Sequence, residues 1–154
     1  MRNQRTGEYV LYLSRYNIFF KKLLKRISAL HKLSAEEIEA IKNRQFIEQL
    51  HIAYTKSKFY NNLYRSLDIN INEIKGIEDI HKLPIIEKQQ IKGKMDEILI
   101  GNKMFNRKGY TSGTSGTPLI VYRNYKSILT EHAYLWNNRI QHGLNIGDPM
   151  VSLR

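Results

Sequence analysis

The sequence predicts an α/β protein that opens with a helical arm, and three observations carry that expectation. Through the first 65 residues apolar side chains recur every three or four positions, the spacing of successive helix faces. Strand-like pieces then flank a Gly/Ser/Thr-rich stretch at 109–119. A further helical pattern and a final apolar run follow, so the order is helical arm, strand, loop, strand, helix and strand, the beginning of an α/β layer.

In residues 9–30 the apolar positions Tyr12, Tyr16, Phe19, Phe20, Leu23, Leu24, Ile27 and Leu30 keep helical spacing, with Arg15, Lys21, Lys22, Lys25 and Arg26 largely between them. This predicts a basic amphipathic helix. Ser34 and Glu37 form a capping-box signal, in which each side chain satisfies a free backbone donor at a helix start. A second helix is expected from Ala35 to about residue 56, with Ile38, Ile41, Phe46, Leu50 and Tyr54 on its apolar face. Ser57 is placed to cap a third, carrying Phe59, Tyr60, Leu63 and Tyr64. Residues 67–75 are polar and read as a connection, 77–81 as a turn of helix stopped by Leu83-Pro84, and 87–92 as another short helix. Strands are expected at 97–100, 119–122 and 150–153, and a helix over 125–142 with Ile128, Leu129, Ala133, Trp136 and Ile140. The division drawn from this pattern is a helical region at 1–66 and the start of an α/β domain at 67–154. The pattern stops inside a layer, which leads us to expect the N-terminal portion of a longer domain.

Composition narrows the function. Hydrophobic residues at 42% and charged residues at 25% are near the averages for folded globular chains. With no cysteine there are no disulfides, thiolate metal sites or cysteine nucleophile, and the five histidines form neither a metalloprotease nor a zinc-finger pattern. The net charge of +11 is concentrated in the arm: residues 1–34 hold eight Lys or Arg against Glu8 alone. The longest early apolar run, residues 9–13, is far below the ~20 residues that cross a bilayer and shorter than a signal-peptide core of about 7 to 15. A cytoplasmic location is expected.

The stretch that carries chemistry is Gly109-Tyr110-Thr111-Ser112-Gly113-Thr114-Ser115-Gly116-Thr117-Pro118-Leu119. Gly113 and Gly116 let the backbone come close to a ligand with its amides free, and five hydroxyls at 111, 112, 114, 115 and 117 add further donors. Many small donors and no acid favour an anion, and a phosphate chain suits them. No Walker A pattern is present. Composition alone would equally describe a flexible linker.

The order of residues goes further. TSGTSGTPL resembles the T-S-G-T-T-G-x-P-K signature of adenylate-forming enzymes, the superfamily of acyl-coenzyme A synthetases and luciferases, at eight of nine positions if Ser115 stands for threonine. The departure is Leu119 in place of lysine, which the phenylacetate–coenzyme A ligase branch also generally lacks. AYTKSKFYNNLY at 53–64 and IEDIHKLPIIEKQQIK at 77–92 resemble segments preceding the signature in that branch and its CapK-like capsular polysaccharide biosynthesis relatives, and GLNIGDPMVSLR follows at a matching spacing. The resemblance covers about residues 45–154. It implies that Thr111, Ser112, Gly113, Thr114, Ser115, Gly116 and Thr117 bind the phosphates of ATP, with Mg2+ as companion, while a small-molecule carboxylate is activated as acyl-AMP. Transfer to coenzyme A or another thiol or amine acceptor would follow. The remaining catalytic segments lie beyond Arg154 in the family, so no catalytic residue is assigned and the isolated chain is expected to be inactive.

Two other readings compete. The basic residues 9–30 offer a weak contact to an anionic membrane surface, although internal packing is the commoner fate of such a helix. A basic helical binding module with an incidental linker is the rival to a ligase. Nucleic acid is not expected, because no recognised RNA- or DNA-binding motif accompanies the charge. Lys88 and Arg123 read as exposed or structural cations, and His132 with Trp136 as core packing.

Overall fold

In the computed structural model, residues 16–111 and 118–149 are described. The helices are α1 (Ile18–Ala29), α2 (Ala35–Lys56), α3 (Lys58–Ser66), α4 (Lys88–Ile91), α5 (Met95–Ile98) and α6 (Tyr125–Gln141). The strands are β1 (Asn106–Tyr110) and β2 (Ile120–Asn124), with short 3-10 turns at Leu30–Lys32, Ile71–Glu73, Ile77–Lys82 and Lys103–Phe105. The chain divides into two units, one running from Ser34 to Asn124 and the other joining the residues up to Leu33 with those from Tyr125 onward. Position 66, where the sequence pattern was divided, falls inside the first of these.

The unit built on α1 and α6 encloses Phe20, Ile27, Leu129, Ala133 and Trp136. Asn17 caps α1 by accepting the Phe20 amide on its side chain at 3.0 Å; of the helix expected over 9–30, positions 9–15 lie outside the described residues. Tyr16 packs edge-on to Phe20 and to Trp136, with ring centres 5.3 and 5.8 Å away, and the His132 ring lies against Phe20 at 5.3 Å. His132 and Trp136 are thus packing residues, as their spacing implied. Behind the rings, Ser28 donates to the side-chain oxygen of buried Asn137 at 2.7 Å, and the Asn137 amide nitrogen meets His31 Nε2 at 2.8 Å. Helix α6 ends in a Schellman motif, with Leu144 bonded back to Arg139 and Gly143 to Ile140, and the positive φ of Gly143 (+85°) makes that reversal.

The other unit starts at the expected capping box. The Glu37 amide donates to Ser34 Oγ at 3.2 Å and the Ser34 amide to the Glu37 carboxylate at 2.8 Å. Helix α2 nevertheless buries only Leu50 completely; Phe46 and Tyr54 pack partly, and Ile38 is exposed. The core is completed by Tyr64, Ile71 and Ile74. Buried Ser57 sits at the corner between α2 and α3, where its hydroxyl caps α3 at the Tyr60 amide and donates to the Glu97 carbonyl at 3.0 Å. One side chain therefore ties α3 to α5. Close approach fixes another junction: Asn43 Oδ1 accepts the Ile77 amide at 2.8 Å, and a Cβ on Gly76 would stand 2.9 Å from that oxygen.

One strand expectation needs correction. Residues 97–100 are not a strand: Glu97 and Ile98 belong to α5, where Ile98 bonds to Lys94 and Leu99 to Met95. Short apolar runs do not distinguish strand from helix, and the acids Asp96 and Glu97 favour the first turn of a helix. The strand before the glycine-rich stretch is instead β1, and it pairs antiparallel with β2. The described α/β character is therefore helices with one antiparallel hairpin. The strand expected at 150–153 lies outside the described residues. Among the described residues no helix is long and apolar enough to cross a membrane.

Candidate functional site

The glycine-rich stretch is the connection of a hairpin. β1 and β2 pair in the register Asn106 with Asn124, Arg107 with Arg123, Lys108 with Tyr122, Gly109 with Val121 and Tyr110 with Ile120. Val121 and Tyr122 suit a pleated strand, whereas β1 reads Asn-Arg-Lys-Gly-Tyr and carries no β-branched residue. β1 is a strand because β2 supplies its partner.

The mouth of the connection is clamped. The Thr111 amide donates to the Leu119 carbonyl at 3.0 Å, and the Leu119 amide donates back to the Thr111 hydroxyl at 2.9 Å. Thr111, one of the seven residues assigned to phosphate binding from sequence, is therefore part of the frame, although its hydroxyl proton can still be donated outward. Ser112, Gly113, Thr114, Ser115, Gly116 and Thr117 lie outside the described residues. The clamp holds the two ends of this six-residue segment side by side, which lowers the entropy cost of closing it.

The electrostatics of the frame are one-sided. Residues 98–124 carry Lys103, Arg107, Lys108 and Arg123 and no acid. Because side chains alternate across a strand, Arg107, Gly109, Val121 and Arg123 share one face, which continues toward Thr111. Arg107 and Arg123 are cross-strand neighbours, which places two guanidinium groups on the same face of the hairpin. Gly109, between the arginines and the loop mouth, puts no side chain in the way. On the other face the Lys108 ammonium lies 5.3 Å from the Tyr110 ring centre, and Lys103 lies 5.9 Å from that of Tyr122. A hydrogen bond with the Tyr110 hydroxyl holds Lys108 charged above its ordinary range, and an ion pair with Asp96 does the same for Lys103.

The described part of the site is thus the Thr111–Leu119 clamp and the cations of the two strands. Magnesium finds no carboxylate in 98–124, and among the described residues no group of three or more His, Asp or Glu could hold a metal. Of the cations marked from sequence, Arg123 belongs to the hairpin, while Lys88 opens α4 and is exposed. Arg107 and Lys108 escaped the sequence reading because their strand did; a search for a partner to residues 120–124 would have found them.

No family model matches the chain. It is 25% identical over 139 residues to Protein CapK of Staphylococcus aureus, an alignment that covers 90% of this chain and 30% of that protein. The chain is thus similar through most of its own length to Protein CapK while spanning about 30% of the length of that relative.

Proposed function

We propose that this chain carries the phosphate-binding part of an ATP-dependent adenylate-forming ligase. The observation behind the reading is the reciprocal Thr111–Leu119 clamp, which closes a loop rich in small donors on a cationic, acid-free hairpin. Similarity to part of Protein CapK is compatible with a fragment of a biosynthetic enzyme.

On this reading, a small-molecule carboxylate attacks the α-phosphorus of ATP, forming acyl-AMP and releasing pyrophosphate. The amides and hydroxyls of 111–117 hold the β- and γ-phosphates, and Arg107 and Arg123 neutralise charge accumulating on the leaving pyrophosphate. Magnesium, carried by the phosphates when bound, would add to that neutralisation. The acyl group then passes to coenzyme A or to another thiol or amine with release of AMP, through segments outside these 154 residues.

The test is pyrophosphate binding to the 154-residue chain by calorimetry, followed by carboxylate-dependent ATP–pyrophosphate exchange in the longer protein. Gly113→Val and Gly116→Val should each abolish exchange, and Arg107→Gln should weaken pyrophosphate binding at least ten-fold. Exchange indifferent to both glycine changes would sink the ligase reading.

A further inference from the structure

Along α1 and α6 runs a groove of about 450 Å³, within the roughly 300 to 1,000 Å³ usual for small-molecule sites. Phe19, Leu23, Tyr125 and Leu129 form its apolar surface. Leu129 is buried at the floor, while Phe19 is 65% exposed at the rim. The Tyr125 hydroxyl accepts from the Asn17 side-chain Nδ2 at 2.8 Å and is thereby held in place.

The polar lining has a single sign. Lys22, Arg26 and Lys126 border the groove, and among the described residues no acid does. Lys22 and Arg26 stand one helical turn apart on α1, a helix without any acid, so their repulsion is not relieved along that helix. An apolar trough bordered by three cations is complementary to a molecule with an apolar body and an anionic end. A concave surface takes up one such molecule along its length, whereas a bilayer contact uses a protruding apolar face. We infer that this groove binds a free single-chain anionic amphiphile, its tail on Phe19, Leu23 and Leu129 and its acid group among Lys22, Arg26 and Lys126. The inference is independent of the phosphate-loop reading, since none of these residues belongs to the hairpin.

The probe is decyl phosphate below its micellar concentration, titrated into the 154-residue chain by calorimetry with circular dichroism as the folding control. One saturable site is expected. Lys22→Gln with Arg26→Gln should weaken it at least ten-fold, as should Phe19→Ser, and decanol should bind at least ten-fold more weakly than decyl phosphate. A control pair far along the sequence, Lys42→Gln with Lys75→Gln, should leave the affinity unchanged. Many weak sites, equal affinity in the groove and control pairs, or capture by phosphatidylglycerol vesicles without binding of the monomer would overturn the proposal. The vesicle result would assign these residues to a membrane surface instead.

Discussion

Asp68 has a backbone conformation that L-residues adopt reluctantly, with φ at +51°. It occupies the position after the end of α3, where Ile69 bonds back to Tyr64 at 2.9 Å and Asp68 to Arg65 at 3.2 Å, the reversal that α6 makes with Gly143. Glycine would relieve the left-handed strain but add freedom to the unfolded chain, two effects of opposite sign. Relief should win by about 0.5 kcal/mol, so Asp68→Gly is expected to raise the midpoint of urea unfolding without changing its slope. Ser57 points the other way. Its hydroxyl serves both the Tyr60 amide and the Glu97 carbonyl while almost wholly buried, and alanine can replace neither bond. Ser57→Ala should lower stability by about 1 to 2 kcal/mol in the same measurement.

The β1–β2 hairpin depends on its mouth more than a strand pair within a large sheet would. A two-stranded pair is marginal alone, and β1 contributes little propensity, so the Thr111–Leu119 bonds are a large share of what holds it closed. Thr111→Val keeps the shape but removes the acceptor for the Leu119 amide. Amide exchange through Ile120–Asn124 should accelerate several-fold, corresponding to about 1 kcal/mol of local stability, while amides of α2 are unchanged. Unaltered hairpin exchange would show that the clamp is dispensable. The same element marks how far sequence could be read. Caps were legible because they are local: Ser34 with Glu37 and Ser57 each act within three residues, and both were placed correctly. The glycine-rich loop stood out as an ordered string of residue types, and residues 112–117 of it lie outside the described residues. β1 was not, since its pairing is decided by residues 120–124, and neither was α5, whose apolar residues fit helix and strand equally. Arg107 and Lys108 entered the candidate site only once the strand did.

Across the whole chain, the groups with shifted titration give stability a pH dependence on both the acid and the alkaline side. On the acid side, hydrogen bonds from Lys82 and from the Lys75 amide hold the Asp79 carboxyl below its ordinary 3.8, and the Ser34 hydroxyl does likewise for Glu36 below 4.5. A depressed carboxyl pKa means that the unfolded chain binds the proton more readily. The stabilisation is therefore present above about pH 4.5 and is lost as pH falls through the folded-state values. On the alkaline side, burial holds the Tyr64 phenol above its ordinary 10.0, with the neighbouring Tyr60 adding to the shift. Here the folded state keeps the proton longer, so this contribution is fully present below pH 10 and falls as pH rises toward the folded-state value. Lys103 and Lys108, held above 10.5 by Asp96 and Tyr110, are lost in the same direction. Calorimetric melting from pH 3 to 11 should then show a plateau bounded by these two limbs. Tyr64→Phe should flatten the alkaline limb and leave the acid one, and Asp79→Asn should flatten only the acid limb. A Tyr64→Phe chain whose alkaline fall matches the parent would show that the buried phenol is not what limits stability there, leaving the exposed amines to account for it.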